Sequence, residues 1–147
     1  MAFHSDSTIL FRPYASWYDV TNSSAVSGWK TIRFQSSEVQ TGDLTMDTSN
    51  GRFTVGSSAA EGYYFVSFNH AHGNGGHGSY HLRIVSNGLG NMGQSHSNDG
   101  ARNSMSTIMY MASGWYFECQ THHDNTSHNC EETDRMTRMA AFRLNNI

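Results

Sequence analysis

The sequence predicts an all-β domain arranged as an antiparallel two-sheet sandwich. Short apolar runs recur about every 8 to 12 residues, with Gly, Asn and Ser between them. Several of these runs alternate apolar and polar residues, and none has the apolar spacing of an amphipathic helix. Together these observations predict eight or nine short strands with polar connections.

The first half of the chain has three strand signals. Residues 9–17 begin the pattern, and Pro13 marks a strand edge or a bulge. Residues 29–34 alternate, so Trp29, Thr31 and Arg33 are expected on one face and Lys30, Ile32 and Phe34 on the other. Residues 47–55 contain Asn50-Gly51, a strong turn signal because both residue types accept positive φ.

The second half continues with strands separated by glycine-rich turns. Residues 62–68 are apolar on both faces and predict a central strand, whereas residues 80–85 alternate. Residues 86–103 are rich in Gly and Asn and predict a long loop. Residues 104–111 predict another buried strand. The last two strands are expected within 114–120 and 135–144.

Length and charge narrow the class of protein. The 147 residues predict one domain spanning 1–147, and charged residues make up only 14%. A net charge of −3 argues against nucleic acid as a partner, and no run approaches the ~18 apolar residues of a membrane span. The first residues have no signal-peptide pattern, so the chain is either intracellular or lacks a removed leader.

Residues 41–68 resemble the signature of C1q/TNF-like globular domains, and the order of later segments resembles that family along nearly the whole chain. The resemblance implies a jelly-roll sandwich of ten strands that assembles as a tight homotrimer. It also implies a secreted, lectin-like module that takes part in innate recognition. The matching positions are Asp47, Gly51, Phe53, Thr54, Gly62, Tyr64 and Phe65.

Histidines crowd residues 68–81, which predict a glycine-rich hairpin. His70 and His72 share one face of a strand that continues through them, and a hairpin brings His77 or His81 near. Neutral imidazole is a good zinc ligand, so His70, His72, His77 and His81 are the candidate metal site. A solvated loop without a ligand is the alternative. No cofactor is established by the sequence, and a divalent metal, Zn²⁺ or Ca²⁺, is left open.

The two cysteines, Cys119 and Cys130, enclose a second histidine cluster that contains His122, His123 and His128. In a secreted protein a disulfide across this loop is the preferred interpretation. A Cys₂His₂ zinc site is the alternative, although the usual paired cysteine spacing is absent.

No catalytic motif is present, so the chain is predicted not to be an enzyme. The first functional hypothesis is a secreted recognition module that binds carbohydrate or a protein ligand on surfaces, in a multivalent way. The second is a histidine-rich metal-binding structural or matrix protein. A cytokine-like receptor ligand is a third, minor reading. The candidate ligand-binding residues are Tyr18, Trp29, Asn98, Arg102 and Asn103.

Overall fold

The structure, a computed structural model, describes residues 14–20, 28–71, 79–97, 102–123 and 137–144. These residues form eleven strands and one 3-10 helix, Ser58–Ala60, and they contain no helix long and apolar enough to cross a bilayer. The strands are β1 (Tyr14–Val20), β2 (Lys30–Thr31), β3 (Phe34–Thr41), β4 (Leu44–Asp47), β5 (Arg52–Val55), β6 (Gly62–Ala71), β7 (Tyr80–Ser86), β8 (Gly90–Ser97), β9 (Arg102–Met111), β10 (Tyr116–His123) and β11 (Arg138–Arg143).

The strands form two antiparallel sheets that pack face to face, which confirms the predicted sandwich. The five-stranded sheet has the order β3-β1-β11-β6-β9. The six-stranded sheet has the order β4-β5-β10-β7-β8, and β2 pairs with β10 beyond the end of β5. Consecutive strands repeatedly change sheets, and this is the connectivity of a jelly roll.

Alternation along the strands supplies the core between the sheets. In β6 every second residue from Gly62 is buried, and in β7 every second residue from Tyr80 is buried. Phe53 of β5 stacks on Phe117 of β10 with 5.0 Å between ring centroids. Phe34 bridges the sheets, because its ring lies 5.8 Å from that of Phe53 and 6.2 Å from that of Phe68.

Three sequence predictions about strands were wrong. Residues 86–103 are not one loop, because they contain β8. The glycine-rich segment after β6 does not close a hairpin: β6 pairs with β9 and β11, whereas β7 pairs with β8 and β10 in the other sheet. The strand at 104–111 lies at a sheet edge, and only its end is buried.

The predicted disulfide between Cys119 and Cys130 is also not supported. Cys119 is a free thiol, fully buried in the core, because alternation along β10 turns it inward with Phe117 and Thr121. Burial raises the pKa of this thiol well above its ordinary value. Cys130 lies outside the described residues.

The strand register separates two ends of the sandwich. Four connections between the described strands meet at one end of the sandwich, and three of them are the longest such connections. We call this the long-connection end. The connections there are 21–29, 72–79, 98–101 and 124–137. The opposite end, which we call the short-connection end, is closed by 42–43, 56–61, 87–89 and 112–115.

Gly51 is expected to be highly sensitive to substitution. Its φ is +76°, and an added Cβ would lie 2.5 Å from the carbonyl oxygen of Ile32, because β2 and β5 adjoin along the same edge of β10. Gly90 has a φ of +77° and open space around it, so it is the matched control. We expect Gly51→Ala to lower the free energy of unfolding by more than about 2 kcal/mol and Gly90→Ala by about 1 kcal/mol in urea denaturation. Equal losses would contradict the proposed steric conflict.

The state of Cys119 can be tested by counting thiols. Unfolded, unreduced wild-type protein should show two reactive thiols, because Cys119 is free. In Cys130→Ser, where Cys119 is the one remaining cysteine, the folded protein should not react with a thiol reagent, and one thiol should react after unfolding. A count of zero reactive thiols in the unfolded wild type would contradict the free thiol and indicate a disulfide between Cys119 and Cys130.

Candidate functional site

The exposed face of the six-stranded sheet holds an array of planar polar and aromatic side chains. Alternation on β7 and β10 points Arg83, Glu118 and Gln120 outward, while their neighbours enter the core. Register then arranges the outward residues in rows that cross the sheet. We call this surface the planar array; its members are Trp29, Thr31, Arg52, His81, Arg83, Gln94, His96, Tyr116, Glu118, Gln120 and His122.

Glu118 organises one part of the planar array. Its carboxylate accepts hydrogen bonds of 2.8 Å each from Arg52 Nε, Thr31 Oγ1 and Gln120 Nε2. The guanidinium of Arg52 also lies over the ring of Tyr116, 4.3 Å from its centroid. Burial raises the pKa of Glu118, but the hydrogen bonds, led by that from Arg52, outweigh burial and leave the pKa below its ordinary value.

Arg83 and Trp29 form the next part. Arg83 Nε donates a 2.7 Å hydrogen bond to Gln120 Oε1, and its guanidinium carbon lies 4.0 Å from the ring centroid of Trp29. Desolvation lowers the pKa of Arg83 from its ordinary value. Trp29 therefore has a cation over its ring and is held at the surface as a half-buried platform.

Three histidines form the row nearest the long-connection end. His122 pairs with His81 across β10 and β7, and His81 pairs with His96 across β7 and β8. The ring centroids of His81 and His96 are 4.5 Å apart, and those of His81 and His122 are 5.6 Å apart. Trp29 packs against this row, with its ring 5.4 Å from that of His122.

The predicted metal ligands do not all meet. His70 is buried on β6, where its Nδ1 lies 3.0 Å from Thr137 Oγ1, whereas His81 is on the outer face of the opposite sheet. His72 and His77 lie outside the described residues. As the side chains stand, the described part of the chain contains no group of three His, Cys, Asp or Glu that could hold a metal ion.

Four of the five predicted ligand-binding residues lie at the long-connection end, but they face different ways. Trp29 is in the planar array, and Tyr18 is on the five-stranded sheet, paired with Arg138. Arg102 and Asn103 begin β9. Asn103 links strands, because its Oδ1 accepts a 2.7 Å hydrogen bond from Ser95 and its Nδ2 donates to the Tyr80 carbonyl. Asn98 lies outside the described residues.

The exposed face of the five-stranded sheet is different, because half of it is apolar. Phe142 pairs with Phe65, which pairs with Ile108, and Tyr63 pairs with Tyr110 one row further. Ile108 is 56% exposed, Tyr63 42% and Phe142 40%. We call these five residues the apolar patch. It lies towards the short-connection end, since Tyr63 is the second residue of β6.

Comparison with solved structures agrees with the described fold. No family model matches the chain, and no curated protein matches its sequence. Three crystal structures of murine APRIL are similar to it, each over 90% of this chain and 99% of the other. The TM-scores are 0.68, 0.69 and 0.68 for the structures at pH 5.0, 8.0 and 8.5, with 9%, 10% and 12% sequence identity.

The fold is a C1q/TNF-like jelly roll. This confirms the predicted fold class. At these identities the similarity establishes the fold alone, so function has to be argued from the surfaces of this chain.

His96 and His122 were not among the predicted ligands. In the sequence, His122 stands out only as part of the segment between the cysteines, and His96 lies within the predicted loop at 86–103. No single segment shows that these residues adjoin His81, because the row depends on the register of three strands that are distant in sequence. Histidine crowding was the available signal: eight of the nine histidines belong to strands or connections of the long-connection end.

The carboxylate of Glu118 should make stability depend on pH. Because its folded pKa is lowered, the stabilisation is present above the ordinary value of 4.5 and is lost as pH falls through the folded value. We expect Glu118→Gln to reduce the free energy of unfolding by about 1 kcal/mol at pH 7, since Glu118 is partly exposed. Urea denaturation near pH 2.5 should show little difference between variant and wild type. An equal loss at both pH values would assign the effect to packing.

Proposed function

We propose that the protein is a non-enzymatic, extracellular recognition module that acts as a homotrimer. The observation that carries the proposal is the apolar patch. Copies of the chain pack against one another through this patch, and the long-connection end of each copy remains exposed for a ligand. The ligand is a carbohydrate or another component of a surface, bound at several sites at once.

The chemistry of the apolar patch favours a protein partner over water. Aromatic rings already pair within it, with 5.2 Å between the centroids of Phe65 and Phe142 and 5.6 Å between those of Tyr63 and Tyr110. Such a contiguous apolar surface on a sheet marks an interaction site. No charged residue belongs to the patch, and Ser67, Ser106 and Ala140 continue it as a row of small side chains over which another backbone can approach closely.

A second copy of the same chain is the partner that we propose. The patch lies at one edge of its sheet, because β9 pairs on one side only, and symmetric self-association covers such an edge without another gene product. The resemblance to C1q/TNF-like domains implies that three copies assemble. With the patch at the short-connection end, the interface leaves the opposite end free.

Threefold display explains how weak ligand contacts become effective. Tyr18, Trp29, Arg102 and Asn103 lie at the long-connection end, so each trimer presents three copies of them on one rigid body. Several weak sites on one body raise avidity by roughly 10²–10⁴ without new contacts. A half-buried tryptophan beside amides and an arginine is also suited to stacking and hydrogen bonding with a sugar.

The metal-binding matrix protein is the second candidate function. The histidine row on the planar array favours it, because three imidazoles lie side by side on an exposed sheet face. This function does not depend on the apolar patch, so the two candidates can be tested separately.

Molecular mass in solution tests the proposed assembly. Wild type should have a mass of about 49 kDa by light scattering, three times the 16.4 kDa of one chain. Ile108→Glu should give folded monomer, because it places a charge within the apolar patch. Leu89→Glu is the matched control, because Leu89 is 44% exposed but lies between β7 and β8 on the other sheet. A wild-type monomer at high concentration would contradict the proposal.

The recognition function is tested with the same variants on a glycan array. Trimeric wild type and Leu89→Glu should bind the same glycans, and monomeric Ile108→Glu should lose at least about 10²-fold in apparent affinity as avidity disappears. A verified trimer that binds no glycan would remove carbohydrate as the ligand class.

A further inference from the structure

The histidine row has the spacing of a metal-binding pair. His81 and His96 are directly opposite on antiparallel strands, where Cβ atoms are about 4.5–5.5 Å apart. Two imidazoles that bind one Zn²⁺ through nitrogens at about 2.0–2.1 Å place their ring centroids about 5 Å apart. The observed 4.5 Å separation of the His81 and His96 rings is close to that requirement.

We propose that His81 and His96 together bind a Zn²⁺ ion on the outer face of the six-stranded sheet, with water completing the coordination. The two rings are stacked at present, with 26° between their planes. Binding therefore requires rotation of the side chains about their own bonds, and the strands need not move. His96 is exposed, which allows both the rotation and the entry of the ion.

Neighbouring residues support His81 as a ligand. The side-chain amide of Gln94 lies next to the ring, with Gln94 Nε2 3.2 Å from His81 Nδ1. If the Gln94 amide turns over, its oxygen accepts a hydrogen bond from the Nδ1–H group of His81. His81 Nε2 is then the nitrogen that binds the metal. His122 packs edge-on against the other side of the His81 ring, with 75° between their planes, and limits its movement.

The same surroundings select the kind of cation. Ca²⁺ requires several oxygen ligands, and the row supplies only imidazole nitrogens. Glu118, the carboxylate of the planar array, is already hydrogen-bonded to Arg52, Thr31 and Gln120. Imidazole suits Zn²⁺, Cu²⁺ and Ni²⁺, so the site fits a transition metal of this group and not Ca²⁺.

The site is independent of the proposed trimer, because the apolar patch is on the opposite sheet. It also differs from the ligand set expected from the sequence, since it retains His81 and replaces the other three residues with His96. These differences determine the variants for the test.

Calorimetric titration of tag-free protein with ZnCl₂ at pH 7.5 tests the proposal. Wild type should bind one Zn²⁺ per chain in this site, and His96→Gln should weaken the affinity by about 10-fold or more. His77→Gln is the matched control, because it removes an imidazole from the connection between β6 and β7, and it should bind as wild type does. Circular dichroism should show that both variants are folded.

The outcomes separate cleanly. Weaker binding in His96→Gln with unchanged binding in His77→Gln supports the site, as does weaker wild-type binding at pH 5.5, where protons compete for the ring nitrogens. No heat with wild type, or equal affinity in wild type and His96→Gln, overturns it. Loss of binding in His77→Gln, alone or together with His96→Gln, overturns it as well, because the ligands would then include the β6–β7 connection. Equivalent heat with CaCl₂ would also overturn the assignment to imidazole.

Discussion

Contact between aromatic rings from both sheets is the interaction on which this structure depends. Phe53 and Phe117 stack within the six-stranded sheet, and Phe34 links them to Phe68 of the five-stranded sheet. Each fully buried ring of this size contributes about 1.5–3 kcal/mol through removal of apolar surface from water. Because these side chains occupy alternate positions, their burial forces the intervening residues outward, and this creates the two exposed faces.

The two faces have opposite chemistry on a common frame. On the six-stranded sheet, outward positions hold charged and planar groups that bind one another, as Arg52, Glu118 and Gln120 do. On the five-stranded sheet they hold Ile108 and Phe142, which are substantially exposed, and Phe65, which is half-buried between them. The outward side chains of the six-stranded sheet therefore bind one another, whereas those of the five-stranded sheet are suited to contact with a second molecule.

Local patterns were sufficient for the fold class but not for the candidate site. Alternation predicted which of residues 29–34 share a face, and Asn50-Gly51 predicted the β4–β5 turn. The site required register, and register joins His81 to His96 and His122 from strands that no local pattern aligns. The glycines within β8 favoured the prediction of a loop. The closeness of β6 and β7 in sequence favoured the prediction of a hairpin, whereas the chain changes sheets between them.

The grouping of the three longest connections at one end has a consequence for how the protein could diversify. Residues inserted at this end lengthen connections whose flanking strands are held in place by pairing with other strands. Each doubling of loop length costs only about 0.6 kcal/mol in closure entropy. Tight turns such as that at Gly51 have no comparable tolerance, because the Ile32 backbone lies directly against them. The long-connection end is thus open to new specificities by drift in length and composition, whereas the turn at Gly51 is constrained to preserve its shape.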